Sequence, residues 1–395
     1  MTTRKSYPFS LRFKWDLQNN PLTVLLEKKR QQGAVILDLT ESNPTAVGLR
    51  YPEEIWQALA NPAALRYVPH PRGLLKARQA VAKYYQQRGE SVEVDRIHLT
   101  SSTSEAYTYL FKLLTDPGQN VLAPQPSYPL FEFLAGLEKI ELRPYQLRYE
   151  REKWRIDFDS INEAINSHTR AIVLVNPNNP TGSFIKKDEF VKLAKIYANH
   201  NLALIIDEVF FDYAFDAAAP QSGVAISEVL TFVLSGISKI LGLPQMKLGW
   251  MVVGGPAAAR QPAQQHLDLL ADTYLSVSTP IQHAAPDWFA LLPILKVQIH
   301  QRVQANWNVL QTQLRGNSAC RLLNVEGGWY AVLEIPSLHS EEALVLNLLE
   351  KDSVLVHPGY FFDFPHEGFL VASLLPAPEI FEEGVNRLIT RLLSK

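Results

Sequence analysis

Ala171-Ile-Val-Leu-Val-Asn-Pro-Asn-Asn-Pro-Thr-Gly182 decides how this chain is read. Its first five residues are apolar without alternation, the pattern of a strand buried on both faces. Two X-Pro steps and a glycine then force a fixed, non-helical turn at the strand's carboxyl end. Leu202-Ala-Leu-Ile-Ile206 repeats the apolar run, and further strand-like runs are Arg96–Thr100, Asn120–Ala123, Thr231–Leu234 and Leu248–Val253. Amphipathic helical patterns separate them at Thr103–Thr115, Ser127–Leu137, Lys187–Asn199 and Ala257–Tyr274. Strands alternating with helices predict an α/β fold with a mostly parallel sheet between helices.

Outside that core the pattern changes. Residues 1–50 hold one helix, Pro21–Gln32, with Asn20 as N-cap, and a strand at Val35–Leu39. After Val277 come a long helical stretch, strands near Tyr330, Val354 and Phe369, and a last helix from Pro378. The expected organisation is a large domain over 51–276 and a smaller α+β domain built from 1–50 and 277–395. The alanine-rich run Ala217–Pro220 reads as a loop.

Composition narrows the function classes. Of 395 residues 47% are hydrophobic and 20% charged, and 38 Lys+Arg against 40 Asp+Glu give a net charge of −2. That balance carries no electrostatic footprint for nucleic acid. No run reaches the ~18 apolar residues of a membrane span, and the start has no apolar signal-peptide run. The lone Cys320 can form neither an intramolecular disulfide nor a cysteine-based metal site. These features lead to the expectation of a cytoplasmic enzyme with no membrane and no nucleic-acid partner.

Four segments carry chemistry. Ser235-Gly-Ile-Ser-Lys239 leaves a buried strand with a lysine beside two hydroxyls, a candidate Schiff-base amine or a surface lysine beginning a helix. The proline turn places Asn179 where open α/β sheets bind ligands. Asp207 and Glu208 end an apolar strand, where a carboxylate needs a partner such as a protonated ring nitrogen or a helix start to cap. His98-Leu-Thr-Ser-Ser-Thr-Ser-Glu105 runs from strand to helix with five hydroxyls. It suits a phosphate, and Ser102 with Glu105 suits a capping box equally well. No metal-ligand spacing is evident.

Taken in order, with Pro126-Ser-Tyr-Pro-Leu-Phe-Glu132 and Lys247-Leu-Gly-Trp250, these segments resemble the pyridoxal-phosphate dependent aminotransferases of fold type I, class I/II, over nearly the whole chain. The resemblance implies pyridoxal 5′-phosphate as cofactor. Lys239 would be the Schiff-base lysine and proton shuttle, Asp207 the partner of the ring nitrogen, and Asn179 the donor to the ring's O3′. Tyr128 would stack on the ring, and Thr103, Ser104 and Ser238 would hold the phosphate. Tyr67 would reach the neighbouring subunit's phosphate, which implies a homodimer with shared sites. The implied partners are a small-molecule amino donor and a keto acid. A lyase of the C–S β-lyase type would share the same cofactor residues, and a non-catalytic binding module of this fold is the third reading.

Three departures from the family pattern bear on chemistry. Lys247 stands where the family has an arginine on the phosphate, which exchanges a planar fork for a point charge. Phe210 replaces a tyrosine that donates to O3′, with Tyr213 as a candidate substitute. Val371 stands in Phe369-Leu-Val-Ala-Ser373 where the family's carboxylate-binding arginine is expected, and Arg12, Arg50 and Arg72 are candidate replacements.

Overall fold

The unalternated apolar runs become the interior strands of an eight-stranded sheet. The computed structural model describes residues 9–13, 15–215, 220–316, 320–336 and 340–394; Ala217–Ala219 of the alanine-rich run lie outside them. Strands are numbered along the chain: β1 Leu37–Asp38, β2 Ile97–Thr100, β3 Asn120–Gln125, β4 Glu141–Glu150, β5 Lys153–Ile156, β6 Thr169–Val175 and β7 Ala203–Asp207. They continue as β8 Thr231–Gly236, β9 Gly249–Gly254, β10 Arg321–Leu322, β11 Tyr330–Glu334, β12 Val354–Leu355, β13 His357–Pro358 and β14 Phe369–Ser373. The helices used below are α1 Pro21–Gln31, α2 Leu75–Gln87, α3 Thr103–Leu114, α4 Leu130–Leu137, α5 Lys187–His200, α6 Ala257–Tyr274, α7 Thr279–Ala290, α8 Leu292–Gln313 and α9 Pro378–Leu393.

The large sheet runs β2-β9-β8-β7-β6-β3-β4-β5. From β4 to β8 every neighbouring pair is parallel, and β9 lies antiparallel between β8 and β2. This is the α/β fold with a mostly parallel sheet that the sequence implies. Every residue of β7, β8 and β9 is buried, because helices cover both faces. Two apolar clusters fill those layers. One joins α3, α4 and α6 to one face through Phe111, Leu134 and Leu267; the other runs from the opposite face into the terminal segments through Tyr84, Trp250 and Leu388.

The remote ends of the chain meet. β1 pairs in parallel with β12, Leu37 opposite Val354, and Ser373 N–H donates to Leu39 O at 2.7 Å. A second sheet, β10-β11-β14-β13, is antiparallel throughout. The helix expected at Pro21–Gln32 begins where Asn20 Oδ1 accepts Thr23 N–H at 2.8 Å. The long helical stretch after Val277 is two helices, α7 and α8. β4 and β5 form an edge ribbon that the apolar-run reading does not contain. Among the described residues no helix is long and apolar enough to cross a membrane.

Candidate active site

β6, β7 and β8 deliver their carboxyl ends side by side, Val175 opposite Asp207 and Asp207 opposite Leu234. Asp207 therefore leaves the sheet beside the segment that carries Lys239. Its Oδ1 accepts Val209 N–H at 3.0 Å and its Oδ2 accepts the Tyr107 hydroxyl at 3.1 Å. Burial pushes this carboxyl up to about 6, while those two donors and the Lys239 amine hold it down. Glu208 turns the other way. It takes Ser222 Oγ–H at 2.8 Å and Gly223 N–H at 2.7 Å, and burial raises it to about 7.

Lys239 sits in a single helical turn, Ile237–Ile240, that follows β8 directly. Its Nζ lies over two aromatic rings, 5.4 Å from the Phe210 centroid and 5.1 Å from that of Trp329. Among the described residues it makes no hydrogen bond and no ion pair. Burial lowers the amine to about 8, with the Asp207 carboxylate opposing the shift. An amine so placed is neutral in a useful fraction near physiological pH, which is what a nucleophilic lysine needs.

The proline loop is pinned to the same sheet edge. Asn176 N–H donates to Asp207 O at 2.8 Å, Gly182 N–H to Asn178 O at 2.8 Å, and Asn178 Oδ1 accepts the Thr181 hydroxyl at 2.9 Å. Gly182 has φ +66°, and a Cβ there would lie 2.4 Å from Gly327 O. Only glycine satisfies both the turn and the close approach of the 325–327 segment. Asn179 is buried, and its Oδ1 has no partner among the described residues.

At the hydroxyl-rich turn the expected cap forms, with Glu105 reaching the amide of Ser101 in place of that of Ser102. Ser102 caps α3, its Oγ accepting Glu105 N–H at 3.1 Å, while Glu105 accepts Ser101 N–H at 2.7 Å. The Thr103 and Ser104 N–H groups are left without acceptors among the described residues. β9 runs close beneath them, since a Cβ on Gly249 would come within 3.2 Å of Thr103 N. Lys247, two residues before, is exposed in a left-handed conformation, φ +51°, and forms no ion pair among the described residues. Ser238 is half-buried beside Lys239. Free N–H groups at a helix start beside an unpaired cation suit an anion.

The two tyrosines are exposed. Tyr128 is 45% exposed and follows Ser127, whose N–H donates to Phe362 O at 2.9 Å. Tyr67 is 67% exposed, on a segment that leads to Arg72. Two of the expected substitutes fail. Tyr213 gives its hydroxyl to Lys239 O at 2.8 Å and Ile240 O at 3.2 Å, so it supports the lysine's backbone and has no hydrogen to spare for a ring oxygen. Arg72 is spent on Asp268, to which its Nε and Nη2 donate at 2.7 and 2.6 Å. Arg12 and Arg50 are exposed and without ion pairs among the described residues. Val371 is fully buried in β14, flanked by Val332 and His357.

Several residues of the site escape sequence reasoning. Trp329 and Tyr330 begin β11, and Trp329 packs on Phe210 and Tyr213, both at 5.2 Å between centroids. Its Nε1–H is buried without an acceptor. The signal was present in Gly327-Gly-Trp-Tyr330, a glycine pair bringing an aromatic strand against the proline loop. Among the described residues no cluster of His, Cys, Asp and Glu could hold a metal.

Comparison with known proteins closes the identification. The family model for aminotransferase class I and II matches residues 34–385. The glutamate-pyruvate aminotransferase AlaA of Haemophilus influenzae is 30% identical over 92% of each chain. The alanine aminotransferase of Mycobacterium bovis is 28% identical over 92% of this chain and 87% of its own. Among solved structures, an aminotransferase from Escherichia coli superposes with a TM-score of 0.85 at 25% identity, covering 98% and 99% of the two chains. An amine and a carboxylate buried at adjoining strand ends, set in a chain matched along nine-tenths of its length, place this protein in the class I and II aminotransferase family, to which it belongs.

Proposed function

We propose that this aminotransferase binds pyridoxal 5′-phosphate and moves an amino group between an amino acid and a 2-keto acid, with Lys239 as the catalytic base. The observation that carries this reading is the Lys239 amine, set over Phe210 and Trp329 on a half-buried side chain with no hydrogen-bond partner among the described residues, and lowered to about 8. The residues fit the cofactor. Among the described residues the Asp207 carboxylate is buried with no cation bonded to it, the buried Asn179 amide makes no side-chain hydrogen bond, and two N–H groups at the start of α3 are free. Asp207 would hold the ring nitrogen, Asn179 the ring hydroxyl, Thr103, Ser104, Ser238 and Lys247 the phosphate, and Tyr128 the ring face. When bound, the cofactor supplies an electron sink that lets the substrate's Cα proton leave.

Lys239 Nζ, as a free amine, would take that proton from Cα and give it back across the amino nitrogen, at the cofactor's aldehyde carbon C4′. Its depressed pKa keeps it unprotonated often enough to act, and the Phe210 and Trp329 rings keep water from its lone pair. Asp207 stays anionic because Val209 N–H and Tyr107 hold it, so it can retain a proton on its partner.

The relatives named for glutamate, pyruvate and alanine make those compounds the first substrates to try. Purified holoenzyme should lose its cofactor band on mixing with glutamate or alanine alone and regain it with a keto acid such as pyruvate. Release of pyruvate and ammonia without any keto-acid requirement would instead identify a lyase and overturn the reading.

Two coarser expectations belong here. Residues 51–276 are read as the cofactor-holding domain, and 1–50 with 277–395 as the smaller one, a division supported by the β1–β12 pairing. A homodimer sharing its sites is supported by large apolar side chains left exposed, Leu65 at 92%, Tyr67 at 67% and Leu269 at 69%.

A further inference from the structure

Behind the Asp207–Lys239 pair lies a buried group of charges that touches neither. Arg88, at the end of α2, is packed between aromatic rings, its guanidinium 4.0 Å from the Phe211 centroid and 5.2 Å from those of Tyr84 and Tyr85. It donates to the Tyr84 hydroxyl at 2.6 Å, and it pairs with Glu90 at 3.2 Å and Glu208 at 3.5 Å. Tyr84 passes its own hydrogen to Asp212 at 2.5 Å, and Lys296 of α8 donates to the other Asp212 oxygen at 2.7 Å. Ser222 and Gly223 complete the shell of Glu208.

These contacts grip one short segment at both ends. Glu208 opens it and Asp212 closes it, and Arg88 reaches both, one directly and one through Tyr84. Between and beside them stand the residues that shape the lysine's surroundings. Phe210 lies under Lys239 Nζ, and Tyr213 holds Lys239 O. Buried ion pairs add little net stability over apolar packing, yet they fix geometry, and removing one partner leaves a charge stranded. Three carboxylates against two cations here are spent on a segment whose aromatic rings could have been packed by apolar neighbours alone.

We propose that Arg88 is a positioning residue for transamination: through Glu208 and the Tyr84–Asp212 link it holds the 208–213 segment so that Phe210 keeps water from the Lys239 amine. The inference rests on Lys239 being the reactive amine. Loosening the segment would admit water and raise the lysine's pKa toward its ordinary value, whichever charge is removed.

The test compares Arg88→Met, Arg88→Lys and Glu208→Gln with the parent full-length chain. Lys239 acylation, read by mass spectrometry across pH on cofactor-free protein, gives the midpoint of its titration without reference to activity. Both Arg88→Met and Glu208→Gln should raise that midpoint by about one pH unit, with Arg88→Lys between them and the parent. In the holoenzymes kcat should fall roughly tenfold while KM changes by less than about threefold. An unchanged midpoint with only a lower melting temperature would make Arg88 merely structural and overturn the proposal. Opposite shifts, up for Arg88→Met and down for Glu208→Gln, would mean bare electrostatics and overturn it too. Glu208→Gln keeps volume and the acceptor for Gly223, so it decides alone where Arg88→Met does not fold. Loss of cofactor chemistry is read separately, in Lys239→Ala, which leaves the Arg88 group intact.

Discussion

Lys239 shows how a site can be costly to fold. Its amine titrates near 8 in the folded chain and near 10.5 when unfolded, so the unfolded state binds more protons between those values. Stability therefore carries the full penalty below pH 8 and recovers as pH rises toward 10.5. Replacing the charge by an apolar chain of similar length should stabilise cofactor-free protein at pH 7 by on the order of 3 kcal/mol. Denaturant melts of Lys239→Met would register this, and the gain over the parent should shrink at pH 10. A variant less stable than the parent at pH 7 would mean that the amine is not desolvated. Phe210 makes a second prediction at this scale. Without a hydroxyl at that place, the ring oxygen of the bound cofactor would have Asn179 alone as its donor, and Tyr213 is already committed to Lys239 O. The visible band of the holoenzyme should therefore titrate at higher pH than in Phe210→Tyr, by about one pH unit. Equal midpoints in the two proteins would remove Phe210 from the account.

Among the elements, the proline loop is the most exacting. Gly182→Ala combines a left-handed φ with a Cβ 2.4 Å from a backbone oxygen, so it should cost at least about 2 kcal/mol and loosen Asn179 together with the 325–327 segment. Chemical melts with matched measurement of cofactor affinity would check both effects. The loop and the interior strands were legible in the sequence because each is written in contiguous residues, two prolines and a glycine or an unbroken apolar run; Lys239 was marked by its place after a buried strand, but only the resemblance gave it a role over that of a surface lysine. β4 was not legible, since its run Glu141–Glu150 mixes polar with apolar residues and includes Pro144, which is tolerated because that part of the strand pairs with β3 alone. Arg88, Tyr84, Glu208, Asp212 and Lys296 were illegible for a different reason. They come from segments far apart in the chain, and only folding makes their charges neighbours. The fate of Arg72 was hidden likewise, because nothing local announces that its guanidinium closes on Asp268 of α6.

At the scale of the whole molecule, the chain joins its terminal segments through β1 and β12 and leaves Leu65, Tyr67 and Leu269 exposed. If two copies close over these side chains, Leu269→Asp should convert the dimer to a monomer in sedimentation and lower activity, because Tyr67 then has no neighbouring phosphate to reach. A parent protein that sediments as a monomer at full activity would contradict the shared-site reading. The central claim depends on a single side chain and is tested most directly by Lys239→Ala. Absorbance spectra of parent and variant, loaded with pyridoxal 5′-phosphate and then mixed with amino acid and keto acid, should differ completely. The parent is predicted to show a pH-dependent visible band and turnover; the variant, folded to the same melting profile, should have neither a lysine-linked band nor detectable transfer. Turnover retained in Lys239→Ala would contradict the account.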